Sequence, residues 1–171
     1  FHKSKSIPLN LRSRFAYNMK TNIANIDDTF FNFHNIKLSV ESSLKNDILT
    51  AIVNTTPIDL AAWEQILPTV KGLSGTAKIS AKATQGKDLN YQAEIDLSKV
   101  VGKIDGAPNP VNLDTKIKIK PNALENLTAK ITAPENDIAI SGSITDFTKP
   151  NILFKIHAKQ INIDKILPPP P

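Results

Sequence analysis

Cysteine is absent from these 171 residues, which excludes disulfides, thiolate metal sites and thiol nucleophiles and leaves the redox compartment unmarked by thiol usage. Glycine is scarce, at six residues, leaving little material for phosphate-cradling loops. No Walker-type loop, dinucleotide fingerprint or Gly-x-Ser-x-Gly elbow occurs. Aromatic residues make up 6% of the chain, and none interleaves with Lys116, Lys118 and Lys120, so base stacking has no platform and no nucleic-acid partner is expected. The three histidines, His2, His34 and His157, form no His-x-x-x-His pair and lack an acidic cluster, which argues against a metal. With no nucleophile, base and orienter to assemble, neither an enzyme nor a cofactor is expected. No apolar run approaches the roughly 18 residues that suggest a membrane span, and no signal-like segment opens the chain. We read the chain as a segment of a longer protein whose anchor, if it has one, lies outside it.

What the chain does have is alternation. Apolar and polar residues exchange with period 2 over residues 14–24, 35–44, 48–54, 72–83, 89–97, 111–120, 127–133, 137–144 and 152–158, the pattern of strands with one wet face. Thr115-Lys116-Ile117-Lys118-Ile119-Lys120 carries it most clearly, with three lysines on one side and two isoleucines on the other. The nine strands imply a mainly β fold, a curved antiparallel sheet forming an open groove or a partly closed sandwich. Between 54 and 72 the period changes. Leu60, Trp63, Ile66 and Leu67 recur at helical spacing, so a short helix is expected near 57–67, with Thr56 as N-cap, Pro57 at its first position and Pro68 as its stop.

The net charge is +5, and the excess sits early, in Lys3, Lys5, Arg12, Arg14 and Lys20. Residues 1–13 read as a basic N-terminal arm, 14–167 as a single β-rich module, and 168–171, four prolines, as a spacer. The basic run reads as solvated, as most are. Asp27-Asp28 reads as a turn between strands, and residues 102–110, with two glycines and two prolines, as an exposed loop. An echo recurs in Ile58-Asp59-Leu60 with Ile66-Leu67-Pro68 and again in Ile163-Asp164-Lys165-Ile166-Leu167-Pro168.

Two regions carry a family resemblance. One is the Gly142-Ser143-Ile144 strand, the Asp146-Phe147-Thr148-Lys149-Pro150 turn, the strand ending Lys155-Ile156-His157-Ala158 and the Ile163-Asp164 segment before Leu167-Pro168. The other runs from Pro57-Ile58-Asp59-Leu60 to Leu73-Ser74-Gly75. Together they resemble the C-terminal part of AsmA-family proteins, bacterial envelope proteins with β-rich periplasmic regions. The resemblance implies a periplasmic module in a parent anchored to the inner membrane, with a repeating β-groove that carries phospholipid toward the outer membrane and no catalytic residues. Its expected partners are phospholipid or another acyl-chain ligand, the membrane through an anchor elsewhere, and other envelope proteins. Groove-lining candidates are Tyr17, Met19, Leu38, Trp63, Ile79, Ile95, Ile117, Ile140 and Phe154. The alternative from the residues alone is a structural sandwich module that docks on other envelope proteins.

Overall fold

Strands form where the alternation runs, and they run longer than the alternation alone marks. The computed structural model describes residues 9–21, 23–33, 35–67 and 69–167. In chain order the strands are β1 (Leu9–Asn18), β2 (Ile23–Phe33), β3 (Ile36–Lys45), β4 (Ile48–Thr55), β5 (Ile58–Asp59), β6 (Val70–Gln85), β7 (Leu89–Ile104), β8 (Val111–Lys120), β9 (Ala123–Ala133), β10 (Asn136–Thr145) and β11 (Asn151–Gln160). All eleven belong to one antiparallel sheet ordered β1-β2-β3-β4-β6-β7-β8-β9-β10-β11, with β5 beside β6. The connections are tight. Asn46 and Asp47, both with positive φ, join β3 to β4 where Lys45 faces Ile48, the backbone shape that matches strand twist in two-residue hairpins.

Four expectations need correcting. Residues 14–24 are not one strand, because the chain reverses at 19–21 between β1 and β2; Met19 is therefore a turn residue. Asp27-Asp28 lies inside β2, where the register against β3 shifts between Ile26 and Thr29; the extra residue there is absorbed as a bulge rather than a turn. Residues 57–67 do not form an α-helix. The Thr56 amide donates to the Lys37 carbonyl at 3.0 Å, which holds the backbone extended, and Ile58 then pairs with Ala77 as β5. Only Leu60–Trp63 winds, as a 3-10 helix capped by Asp59 rather than Thr56. The expected loop at 102–110 shortens to 105–110, because β7 continues to Ile104. Residues 1–8, Pro68 and 168–171 lie outside the described residues, as do His2 and His34, and residues 9–13 of the expected arm belong to β1.

Of the two packings left open by the alternation, a groove or a sandwich, the described residues form a single layer. Strands pack on their sheet neighbours, and beyond them only the Leu60–Trp63 helix packs to any extent, against β6. Surface area bears this out: the chain exposes 12188 Å², against about 8,300 Å² for a compact monomer of its mass. Among the described residues the buried apolar ones are few, Ile58, Leu73, Ala77 and Ala107, and they cluster at one end of the strands. That end is closed by the Leu60–Trp63 helix, the 105–110 loop and a second 3-10 helix, Ile163–Lys165. The two helices sit on the two copies of the sequence echo.

Candidate functional site

Register, more than any single residue, builds the site. Antiparallel partners point to the same face, and the pairings set Ile79, Ile95, Ile117, Leu127, Gly142 and Phe154 in one row across six strands. A second row runs Val53, Ala81, Ala93, Ile119, Leu124, Ile144 and Ile152. On the other side of β4 the same face continues through Val40, Leu38, Phe31, Ile26, Phe15 and Tyr17. Nine inter-strand steps at about 4.8 Å make this apolar face roughly 43 Å long in the direction of strand stacking. Its members are half-buried by one another, except toward the edges, where Phe15 is 68% and Ile156 69% exposed.

The opposite face is polar and internally paired. Lys116 faces Asp96 across β7–β8 and meets its carboxylate at 3.4 Å, and Lys118 lies 2.9 Å from Glu125. Glu125 also binds Lys120. Hydrogen bonds from Lys120 and Lys118 hold the Glu125 carboxyl below its ordinary range, and Glu125 in turn raises Lys118. The Ser98 hydroxyl, and then Lys116, lower Asp96. These charges keep one side of the sheet in water while the other stays apolar.

Local devices shape the face. Gly142 sits opposite Phe154, whose ring occupies the space a Cβ would take, so glycine lets the ring lie flat across β10. Where β4 stops pairing with β6, Thr55 takes over: its hydroxyl accepts from the Ile79 amide at 2.9 Å and donates to the Ile79 carbonyl at 3.3 Å. Gly75, with φ 104, allows β6 to pass the bulge at Lys99, where a Cβ would lie 2.6 Å from the Val100 Cα. A hollow of about 570 Å³ spans β7 to β11, lined by Leu97, Thr115, Ala129, Ile140 and Ile156, which register sets in line, and by their neighbours along each strand.

Seven of the nine residues expected to line a groove fall on the apolar face: Tyr17, Leu38, Ile79, Ile95, Ile117, Ile140 and Phe154. Two do not. Met19 projects from the β1–β2 turn, 84% exposed, and Trp63 lies in the 3-10 helix, its indole N–H donating to Asn35 Oδ1 at 2.6 Å. Asn35 also donates to the Asp59 carbonyl, so Trp63 is fastened to the β2–β3 turn rather than to the face. Residues outside the groove candidates, among them Leu127, Val53 and Phe31, share the face; aligning them with it requires the register, which alternation within a strand does not contain.

The geometry thus defines a single-layer antiparallel sheet with one polar and one continuous apolar face. No family model, curated protein or solved structure matches the chain. Among the described residues no helix is long and apolar enough to cross a membrane, and no group of three or more His, Asp or Glu side chains is placed to hold a metal.

Proposed function

We propose that this chain is a lipid-binding module of an AsmA-like envelope protein, holding acyl chains along its apolar face and easing phospholipid passage across the periplasm. The observation that carries this reading is the uncovered face itself: ten strands contribute apolar residues to it, and among the described residues no second layer packs there. Apolar patches on soluble monomers rarely exceed a few hundred Å² unless they bind something, and here apolar residues of neighbouring strands line up in rows across the sheet. Acyl chains fit the chemistry of a face built mostly from Ile, Leu, Val and Ala, with Phe15, Phe31 and Phe154 among them and few hydrogen-bonding groups. Each methylene withdrawn from water contributes about 0.8 kcal/mol, so twelve give roughly 10 kcal/mol, the barrier that keeps a lipid from crossing water unaided. An apolar path lowers that barrier without a chemical step, in keeping with the AsmA-like pattern of Gly142-Ser143-Ile144 and the turn that follows it.

The test is expression in a bacterial periplasm, purification without detergent, and native mass spectrometry with lipid extraction. Co-purifying phospholipid is expected, and Ile117→Asp, which places a charge mid-face, is expected to abolish it while leaving the far-UV circular dichroism unchanged. Equal lipid content in the variant and the parent chain would refute the reading.

A further inference from the structure

The two edges of the sheet are built differently. β1 is blunted by a register irregularity between Arg12 and Arg14, one of the devices that keep edge strands from recruiting other strands. β11 carries its own register irregularity only at its far end, between Asp137 and Ile138 of its partner strand, and its pairing with β10 is unbroken from Ile152–Ile144 to Ala158–Ile138. All ten of its residues are exposed, including Ile152, Leu153, Phe154 and Ile156. A long, regular, apolar edge of this kind is a template for strand addition.

Its charge pattern says which kind of strand. On the polar face β11 presents Lys155, His157 and Lys159, and on the apolar face Phe154, Ile156 and Ala158. The β10 residues opposite them carry no charge, Ser141 facing Lys155 and Ala139 facing His157; of the three, Lys159 alone reaches an acid, Asp137, at 3.6 Å. The same alternation occurs inside the sheet in β8, as Lys116-Ile117-Lys118-Ile119. There it is matched by Glu94-Ile95-Asp96-Leu97 of β7, with Glu94 opposite Lys118, Ile95 opposite Ile117 and Asp96 opposite Lys116. β8 has a complementary acidic strand beside it, whereas β11 has an open edge.

We infer that β11 docks an extended segment of a partner protein in which apolar residues alternate with acidic ones, added as a twelfth strand. The apolar residues of that segment continue the apolar face, and its carboxylates meet Lys155 and His157. This inference is independent of the lipid reading, since its readout involves no lipid.

The probe is a fluorescent synthetic peptide with the β7 sequence, residues 90–98, titrated against the 171-residue chain and followed by anisotropy. Saturable binding that weakens with added salt is expected. Methylating alternate backbone amides of the peptide, which removes ladder donors without touching charge, is expected to abolish it. Replacing the peptide's Glu and Asp by Lys, or Lys155→Glu in the chain, is expected to weaken it roughly three- to tenfold, the scale of one cross-strand charge pair reversed in sign. Undiminished binding by the methylated peptide, or by the Lys155→Glu chain, would overturn strand addition at β11. So would reversible self-association in sedimentation velocity that Lys155→Glu abolishes, which would assign the edge to a second copy of the chain.

Discussion

Asp146 fastens two neighbouring hairpin turns at the end of the sheet away from the 3-10 helices. Its carboxylate accepts from Asn122 Nδ2 at 2.9 Å, from the Thr148 amide at 3.0 Å and from the Thr148 hydroxyl, while Asn122 Oδ1 accepts from the Phe147 amide at 3.0 Å. The Thr148 hydroxyl bond first, and then the Asn122 bond, lower its pKa from 3.8 to about 2. Because the folded value is depressed, the contribution of Asp146 to stability is complete above pH 3.8 and is lost as pH falls toward 2. Thr148→Ala removes the largest cause, so the Asp146 titration followed by carbonyl NMR is expected to move up toward the ordinary carboxylate range; an unmoved midpoint would contradict this assignment. Gly142 supplies a second residue-scale expectation. Gly142→Ala pushes the Phe154 ring off β10 and is expected to destabilise by about 1–3 kcal/mol in urea unfolding, as overpacking does.

At the scale of elements, the C-terminal 3-10 helix is held at its Asn162 cap by one buried amide and at Lys165 by Asn109, whose Nδ2 donates to the Lys165 carbonyl at 3.1 Å. Asn136, 5% exposed, donates from Nδ2 to the Pro134 and Asn162 carbonyls at 2.8 and 3.0 Å and accepts the Asn162 amide on Oδ1 at 2.8 Å. Asn136→Ala is expected to cost about 1–3 kcal/mol and to raise hydrogen exchange at 161–167 ahead of the rest of the chain. Uniform exchange in the variant would mean that Asn136 does not anchor this element. The strands themselves were largely legible, because alternation is a local property: 111–120 was read to the residue. Their joints were less so. The β1–β2 reversal falls at Met19-Lys20-Thr21, with neither glycine nor proline to mark it, and a bulge at Asp27-Asp28 looks in sequence like a turn. The helix at 57–67 failed because helical spacing is a weak signal over so short a span, and β6 offered Ile58 a strand partner and burial to 3% exposure. The seven groove candidates that share a face were legible as apolar positions, yet their alignment into rows depends on hairpin registers set by loop geometry.

For the whole molecule, stability and surface are linked by the absence of a second layer. With only four buried apolar residues among those described, the fold relies on its ladders and on the mutual shielding of side chains along one face, and anything that covers that face stabilises it by mass action. Lipid on the apolar face, and not on the polar one, is the arrangement the proposed function requires. It is tested most directly by a photo-crosslinking amino acid placed at position 117 or, one residue away and on the opposite face, at position 116, in chains expressed in a bacterial periplasm and irradiated before purification. A phospholipid adduct is expected in the mass spectrum at 117 and none at 116. Adducts at both positions or at neither would contradict that arrangement.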